Sequence, residues 1–140
     1  MTETEFNDFL VRISTPFISG DFEAWEACIH LPLALVTQSG PVTLYDRDDL
    51  RKNFDLYIQA TRIMGLTEVF RTPVSIEDCD DGTFIVTYRT ELLSNGTRRT
   101  NPYTSSALVL KIDGTWRLNS IMNARGHHDW TGHHPHKPGE

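Results

Sequence analysis

Apolar residues fall into two regimes along the chain. Phe6, Phe9, Leu10, Ile13 and Phe17 recur at helical spacing, and Thr2 and Glu5 stand ahead of them at the interval of a capping box. Pro16 should kink or end this helix. After Gly20, Asp21 reads as the N-cap of a short second helix carrying Phe22, Trp25, Cys28 and Ile29, which Pro32 should stop. The stretch LPLALVTQSGPVTLY sets two short apolar runs either side of Ser39–Gly40, the pattern of a small hairpin. Asp46 caps a third helix, with Asp49 three positions on. Leu50, Phe54, Tyr57, Ile58, Thr61 and Met64 form one face of it, and Gly65 fits its stop.

From Leu66 the period shortens. A run to Ile76 precedes the acidic turn EDCDDG; then come TFIVTYRTELLS, the turn Asn95–Gly96, a long strand to Ile112, the turn Asp113–Gly114, and TWRLNSIMNA. Asn-Gly and Asp-Gly favour two-residue reversals because a type I′ turn needs positive φ at both central positions. The second half is therefore a long antiparallel meander. Helices first and strands afterwards make an α+β domain.

Tight turns fix register, and register fixes which side chains share a face. Counting out from Asn95–Gly96 sets Tyr88 opposite Tyr103 and Val86 opposite Ser105. Counting from Asp113–Gly114 sets Val109 opposite Leu118, Ala107 opposite Ser120 and Ser105 opposite Met122. Both counts agree on one surface: Phe84, Val86, Tyr88, Thr90, Tyr103, Ser105, Ala107, Val109, Trp116, Leu118, Ser120 and Met122. Its large aromatics should turn it toward the helices. Ser105, Ala107 and Ser120 are small where a packed core would carry Leu, Ile or Val, so the middle of this face has room for a guest, unless Trp25 or Phe54 fills it. The opposite surface, with Ile85, Arg89, Leu108, Leu110, Ile121 and Asn123, mixes aliphatic and polar groups and suits an isologous dimer contact. A bulge near Asn101–Pro102 would move one strand, and a local reversal of parity would bring Arg89 or Asn123 inward.

Composition narrows the function classes. A chain of 140 residues makes one domain with a real core. A net charge of −6 with scattered basic residues argues against nucleic acid. No apolar stretch approaches membrane-spanning length, and MTETEF lacks the basic start and apolar run of an export signal, so a cytoplasmic protein with reduced Cys28 and Cys79 is expected. Asp78, Asp80 and Asp81 lack the spacing of a calcium loop and read as a solvated turn.

The helix–helix–hairpin–helix–meander order, the LPLALVTQSGPVTLY hairpin leading into a capped helix, and the closing DGTWRLNSIMN strand resemble the nuclear transport factor 2-like superfamily, and within it the SnoaL-like proteins. The resemblance spans about residues 4 to 124. It implies a cone: a bent, mixed but mainly antiparallel six-stranded sheet wrapped around three helices, with a pocket at the open end. It implies a domain over residues 1–125 and a His-rich tail over 126–140. It further implies a homodimer through the outer sheet face. The family hosts cyclases, isomerases, dehydratases, epoxide hydrolases and binding modules, so fold does not settle function. Its catalytic members use a pocket carboxylate, and the inner face here carries no Asp or Glu.

The candidate residues each have two readings. His30 lies where a helix runs into a strand, in the region where the isomerases carry a base. An imidazole there serves as a base near neutral pH or satisfies helix-end carbonyls. Tyr88 and Tyr103 polarise a carbonyl oxygen or pack as an aromatic pair. Trp25 and Tyr57 close the pocket from the helical side or fill core. Thr90 and Asn101 sit at its rim or are simply exposed, Ser105 and Ser120 lie on its floor, and Trp116 and Met122 ring it. The tail GHHDWTGHHPHKPGE offers His127, His128, His133 and His134 as weak metal candidates, though its Gly and Pro residues supply no fixed second shell. The tail can also fold back over the pocket or a dimer partner through Trp130. The expected function is binding of a small, mostly apolar molecule without cofactor or metal, with lyase, isomerase or cyclase chemistry as one outcome and a non-catalytic sensing or association module as the other.

Overall fold

The computed structural model describes residues 1–37 and 40–123. Helix α1 (Glu3–Arg12) begins at a closed capping box. The Thr2 hydroxyl accepts from the Glu5 amide at 3.1 Å, and the Glu5 carboxylate accepts from the Thr2 amide at 2.9 Å. The helix ends at Ile13, and α2 (Pro16–Ser19) starts afresh with Pro16 in its first turn, where a missing N–H is harmless. Asp21 caps α3 (Phe22–Glu26), its carboxylate accepting from the Ala24 amide. Pro32 does not stop that helix. It lies inside β1 (Ile29–Thr37), within the stretch from Ile29 to Ala34 where the ladder to the neighbouring strand is interrupted and a residue without an N–H is tolerated.

Strand β2 (Gly40–Leu44) returns antiparallel to β1. Gly40 pairs with Thr37 and so belongs to the ladder rather than to the reversal expected at Ser39–Gly40. Helix α4 (Arg47–Met64) is capped by Asp46 and closed by Gly65 at φ 62, a left-handed position that glycine adopts without strain. The meander follows as β3 (Glu68–Asp78), β4 (Thr83–Ser94), the two-residue β5 (Thr97–Arg98), β6 (Tyr103–Ile112) and β7 (Thr115–Met122). The sheet order is β2-β1-β7-β6-β4-β3, with β5 on β4 as a short addition to the six strands expected. Strands β1 and β7 run parallel and every other pair is antiparallel. This is the expected α+β architecture, a bent, mainly antiparallel sheet packed on the helices.

Two registers differ from the count. Between β4 and β6 the ladder sets Tyr88 opposite Ser105 and Thr90 opposite Tyr103, two positions from the expected pairing. Residues 99–102 leave the ladder after β5, and because the slip is even, every side chain keeps its face. Between β6 and β7 the slip is odd. Val109 pairs with Leu118 but Leu108 pairs with Ser120, so Asn119 is an extra residue. Beyond it Ala107 faces Ile121 and Ser106 faces Met122, and the parity of β7 is reversed.

The inner face is otherwise as alternation requires. Val86, Tyr88, Thr90 and Leu92 of β4 and Tyr103, Ser105, Ala107 and Val109 of β6 are all buried. Phe17 is the aromatic hub on the helical side, 4.8 Å from the Trp25 ring, 5.3 Å from Phe54 and 5.5 Å from Tyr57. Each pair is within the range of favourable ring contact. Trp116 packs edge-on against Phe84 and donates its indole N–H to the Glu5 carboxylate at 2.8 Å.

Glu5 thus joins the cap of α1 to strand β7. The Trp116 bond first, and the Thr2 bonds next, lower its pKa from 4.5 to about 2. A depressed acid contributes stability above its unfolded value and loses it as pH falls through the folded one. Urea midpoints should therefore fall between pH 4.5 and about 2, and Glu5→Gln should flatten that part of the profile.

Candidate functional site

The bulge at Asn119, the helix pair α2–α3, and the facing strands β3 and β4 together leave a hollow inside the cone. It measures about 50 Å³, and its wall comes from both layers. Ile13, Phe17, Trp25, Asn53 and Tyr57 line it from the helical side, and Leu33, Leu35, Val36 and Thr37 from β1. Arg71, Tyr88, Tyr103, Ser105, Ile121 and Asn123 complete the sheet side.

Arg71 is the residue that organises this wall. It pairs with Thr90 across β3 and β4 and donates Nε–H to the Thr90 hydroxyl at 3.2 Å. Its Nη1 donates to the Ile13 carbonyl at 2.8 Å and to the Ser14 hydroxyl at 3.1 Å. The guanidinium carbon lies 5.8 Å from the Tyr88 ring centre and 5.9 Å from that of Phe17, within cation–π range. These neutral oxygens and ring faces fix the cation in place. Among the described residues that line the hollow, Arg71 is the one that carries a charge, and no Asp, Glu or His appears.

Three phenols surround it. Burial pushes Tyr57 and Tyr88 above the ordinary value of 10, and pushes Tyr103 up to about 12; the charge of Arg71 works against the shift in each case. Hydrogen bonds with Ser105 at Tyr88, and with Thr90 and Arg71 at Tyr103, oppose it further. The phenols therefore remain protonated near neutral pH and act as hydrogen-bond donors, not as bases. Trp25 adds another donor. The residue is 6% exposed, and its Nε1–H meets no acceptor among the described residues.

The expected site residues divide. Tyr88, Tyr103, Trp25, Tyr57 and Ser105 all line the hollow. Thr90 is fully buried just behind it as a support for Arg71. His30 is elsewhere: on β1 it has the parity opposite to Ile29, Leu33 and Leu35, and it lines a separate surface cleft with Glu23, Glu26 and Arg117. Ser120 and Met122 turn away because of the Asn119 bulge, and Met122 is 60% exposed. Ile121 and Asn123 take the inward places, while Arg89 stays outside against Glu91. Asn101 is exposed in the loop after β5, and Trp116 is tied to Glu5 away from the hollow. His127, His128, His133, His134 and Trp130 lie outside the described residues.

Arg71, Asn53 and Thr37 were not anticipated. Arg71 belongs to a strand with no tight turn to set its register, yet it alternates with the buried Val69 and so shares its face. Asn53 precedes Tyr57 by one helical turn and follows Leu50 by nearly one, a position on the apolar face of α4.

No sequence-family profile matches the chain, and no curated protein matches it. Solved structures do. A nuclear transport factor 2-like protein of unknown function from Shewanella oneidensis MR-1 superposes with a TM-score of 0.68 at 17% identity, over 89% of this chain and 99% of that one. A nuclear transport factor 2-like protein with a cystatin-like fold from Novosphingobium aromaticivorans gives 0.67 at 17% identity, over 86% and 79%. Aln2 from a Streptomyces species gives 0.66 at 15%, over 88% and 89%. At such identities the likeness is one of fold: this chain has the nuclear transport factor 2-like fold.

The raised phenols give stability a pH dependence of known direction. A group whose pKa is higher folded than unfolded contributes stability below its unfolded value and loses it as pH rises through the folded one. Thermal midpoints should drop between pH 10 and about 12, and Tyr103→Phe should make that drop shallower. An unchanged alkaline slope in this variant would show that Tyr103 is not shielded as described.

Proposed function

We propose that this protein binds a small, mostly apolar molecule in the hollow between its helices and its sheet. The observation that carries this reading is the wall itself. Apolar side chains from Ile13, α2, α3, β1 and β7 supply most of the surface, and a few convergent polar groups at Arg71, Tyr57, Tyr88 and Tyr103 supply orientation, the usual make-up of a small-molecule site. Of the two outcomes open at the level of sequence, the donor-rich wall favours binding and polarisation over proton abstraction. Where chemistry of the lyase, isomerase or cyclase type does occur, Tyr88 and Tyr103 serve as donors to a developing oxyanion, and His30 acts from outside the hollow or not at all.

Ser105 offers the test. It is buried in the wall beside Tyr88, its cross-strand partner, so Ser105→Leu adds volume where a guest would sit. Ligand-observed NMR with small alcohols, amides and acids should show binding to the native chain and its loss, by about tenfold or more, in the variant. Circular dichroism serves as the control for folding. Equal binding by both proteins would move the site elsewhere.

The outer sheet face supports a homodimer. Ile85, 38% exposed, and Met122, 60% exposed, stand on the same face as Leu108 and Ser106. Met122→Lys puts a charge on that face. Light scattering should then give a mass near 16.0 kDa in place of twice that value.

A further inference from the structure

An indole N–H donates and cannot accept, so a buried tryptophan needs an acceptor beside it. Trp25 has none. It lines the hollow and is 6% exposed, and its Nε1–H meets no acceptor among the described residues. Three other described side chains, Thr100, Arg117 and Asn119, keep a buried polar atom without a partner, and none of them lines the hollow. An N–H left so has lost its hydration and gained no bond in return. Resting on the binding reading above, we infer that Trp25 is the residue that selects the guest, a small apolar molecule bearing an oxygen that accepts this N–H. The bond asks for a lone pair and not for a charge, so a ketone, an ether, an ester or a carboxylate serves. A hydrocarbon offers no lone pair, and an ammonium ion only donates.

Other polar groups of the wall select less. Arg71 donates to the Ile13 carbonyl and to the Ser14 and Thr90 hydroxyls. Tyr88 is hydrogen-bonded with Ser105, and Tyr103 with Thr90 and Arg71. Asn53 is half-buried on α4 and carries both a donor and an acceptor, so it suits a guest of either kind. Trp25 differs because it is packed in place with one bond to give. The Asp21 cap fixes the start of α3, and the Phe17 ring lies 4.8 Å from the indole at 60°. Ile13, Leu33, Leu35 and Ile121 offer the alkyl part of the guest its surface. Size sets the scale: about 50 Å³ holds the equivalent of about three to five waters, or a guest of about four to six heavy atoms.

The experiment compares ketones with alkenes of nearly the same shape. Cyclobutanone and cyclopentanone are set against methylenecyclobutane and methylenecyclopentane, and ligand-observed NMR gives the affinity of each. The readout is the ratio of ketone to alkene affinity in the native chain and in Trp25→Phe, which deletes the N–H and keeps an aromatic ring. That ratio should fall by about tenfold in the variant. A merely structural loss would weaken both members of a pair alike and leave the ratio unchanged. A second measurement needs no variant. The indole proton of Trp25, assigned through its contacts with Phe17, should move downfield with the ketones and stay with the alkenes. The indole proton of Trp116, already bonded to Glu5, should stay with both. An unchanged ratio in a folded variant, or an unmoved Trp25 proton, overturns the inference and leaves the binding reading standing. If the variant does not fold, the Trp25 proton of the native chain decides alone. No binding of any ketone or alkene overturns both.

Discussion

One residue sets which side chains the last strand turns inward. Asn119 has no partner on β6, so the strand gains a residue between Leu118 and Ser120, and its alternation reverses. On the near side of the bulge Leu118 is fully buried in the core. On the far side Ile121 and Asn123 reach the hollow, while Met122 faces out. The bulge also lies where β1 resumes its parallel ladder, with Ala34 beside Ser120 after the interruption that contains Pro32. The two irregularities therefore occur together, and on the inner surface between them strand phase and strand pairing both change. A hollow forms there because the regular interdigitation of a packed sheet is suspended.

The second constraint is the placement of a cation inside that gap. A guanidinium is less strongly hydrated than an ammonium and offers donors in a fixed fork, so it tolerates burial against neutral acceptors. Arg71 uses this by bonding to the end of α1 and to Thr90, which ties the helical layer to β3 and β4 as well as facing the hollow. Removing it would disturb both roles, so structural and binding effects at this position need separate readouts. The positive field also explains the restraint on the phenols. It pulls each of them toward ionisation, yet burial prevails, and they stay protonated.

Much of the fold was legible because its signals are local. Thr2, Asp21 and Asp46 cap the helices that their spacing announces, and Asn95 and Asp113 adopt the positive φ that tight hairpins need. The site was legible only where parity survived. Tyr88, Tyr103 and Ser105 sit in the hollow because the slip after β5 was even; Ser120 and Met122 do not, because the slip at Asn119 was odd. Nothing in the letters Leu-Asn-Ser distinguishes a bulged strand from a regular one. His30 was drawn in by position relative to a helix that ends earlier, at Glu26, than Pro32 suggested. Arg71 escaped because β3 is joined to β4 by the longer acidic loop, whose length leaves register open.

The polarity of the wall limits the guest more than its volume does. A dry hollow of about 50 Å³ would cost only about 1 kcal/mol, at about 24 cal/mol per Å³. That is tolerable, so the empty volume by itself does little to select the guest. Among the described lining residues the Trp25 indole N–H lacks an acceptor, and a hydrocarbon guest would leave it so at a cost of about 1–3 kcal/mol. Gains from the apolar arc at Leu33, Leu35 and Ile121 would be offset in part by that loss. A guest that brings an oxygen to Trp25 avoids that loss and still buries its alkyl portion. The same arithmetic that makes the hollow inexpensive to keep makes it selective about what enters.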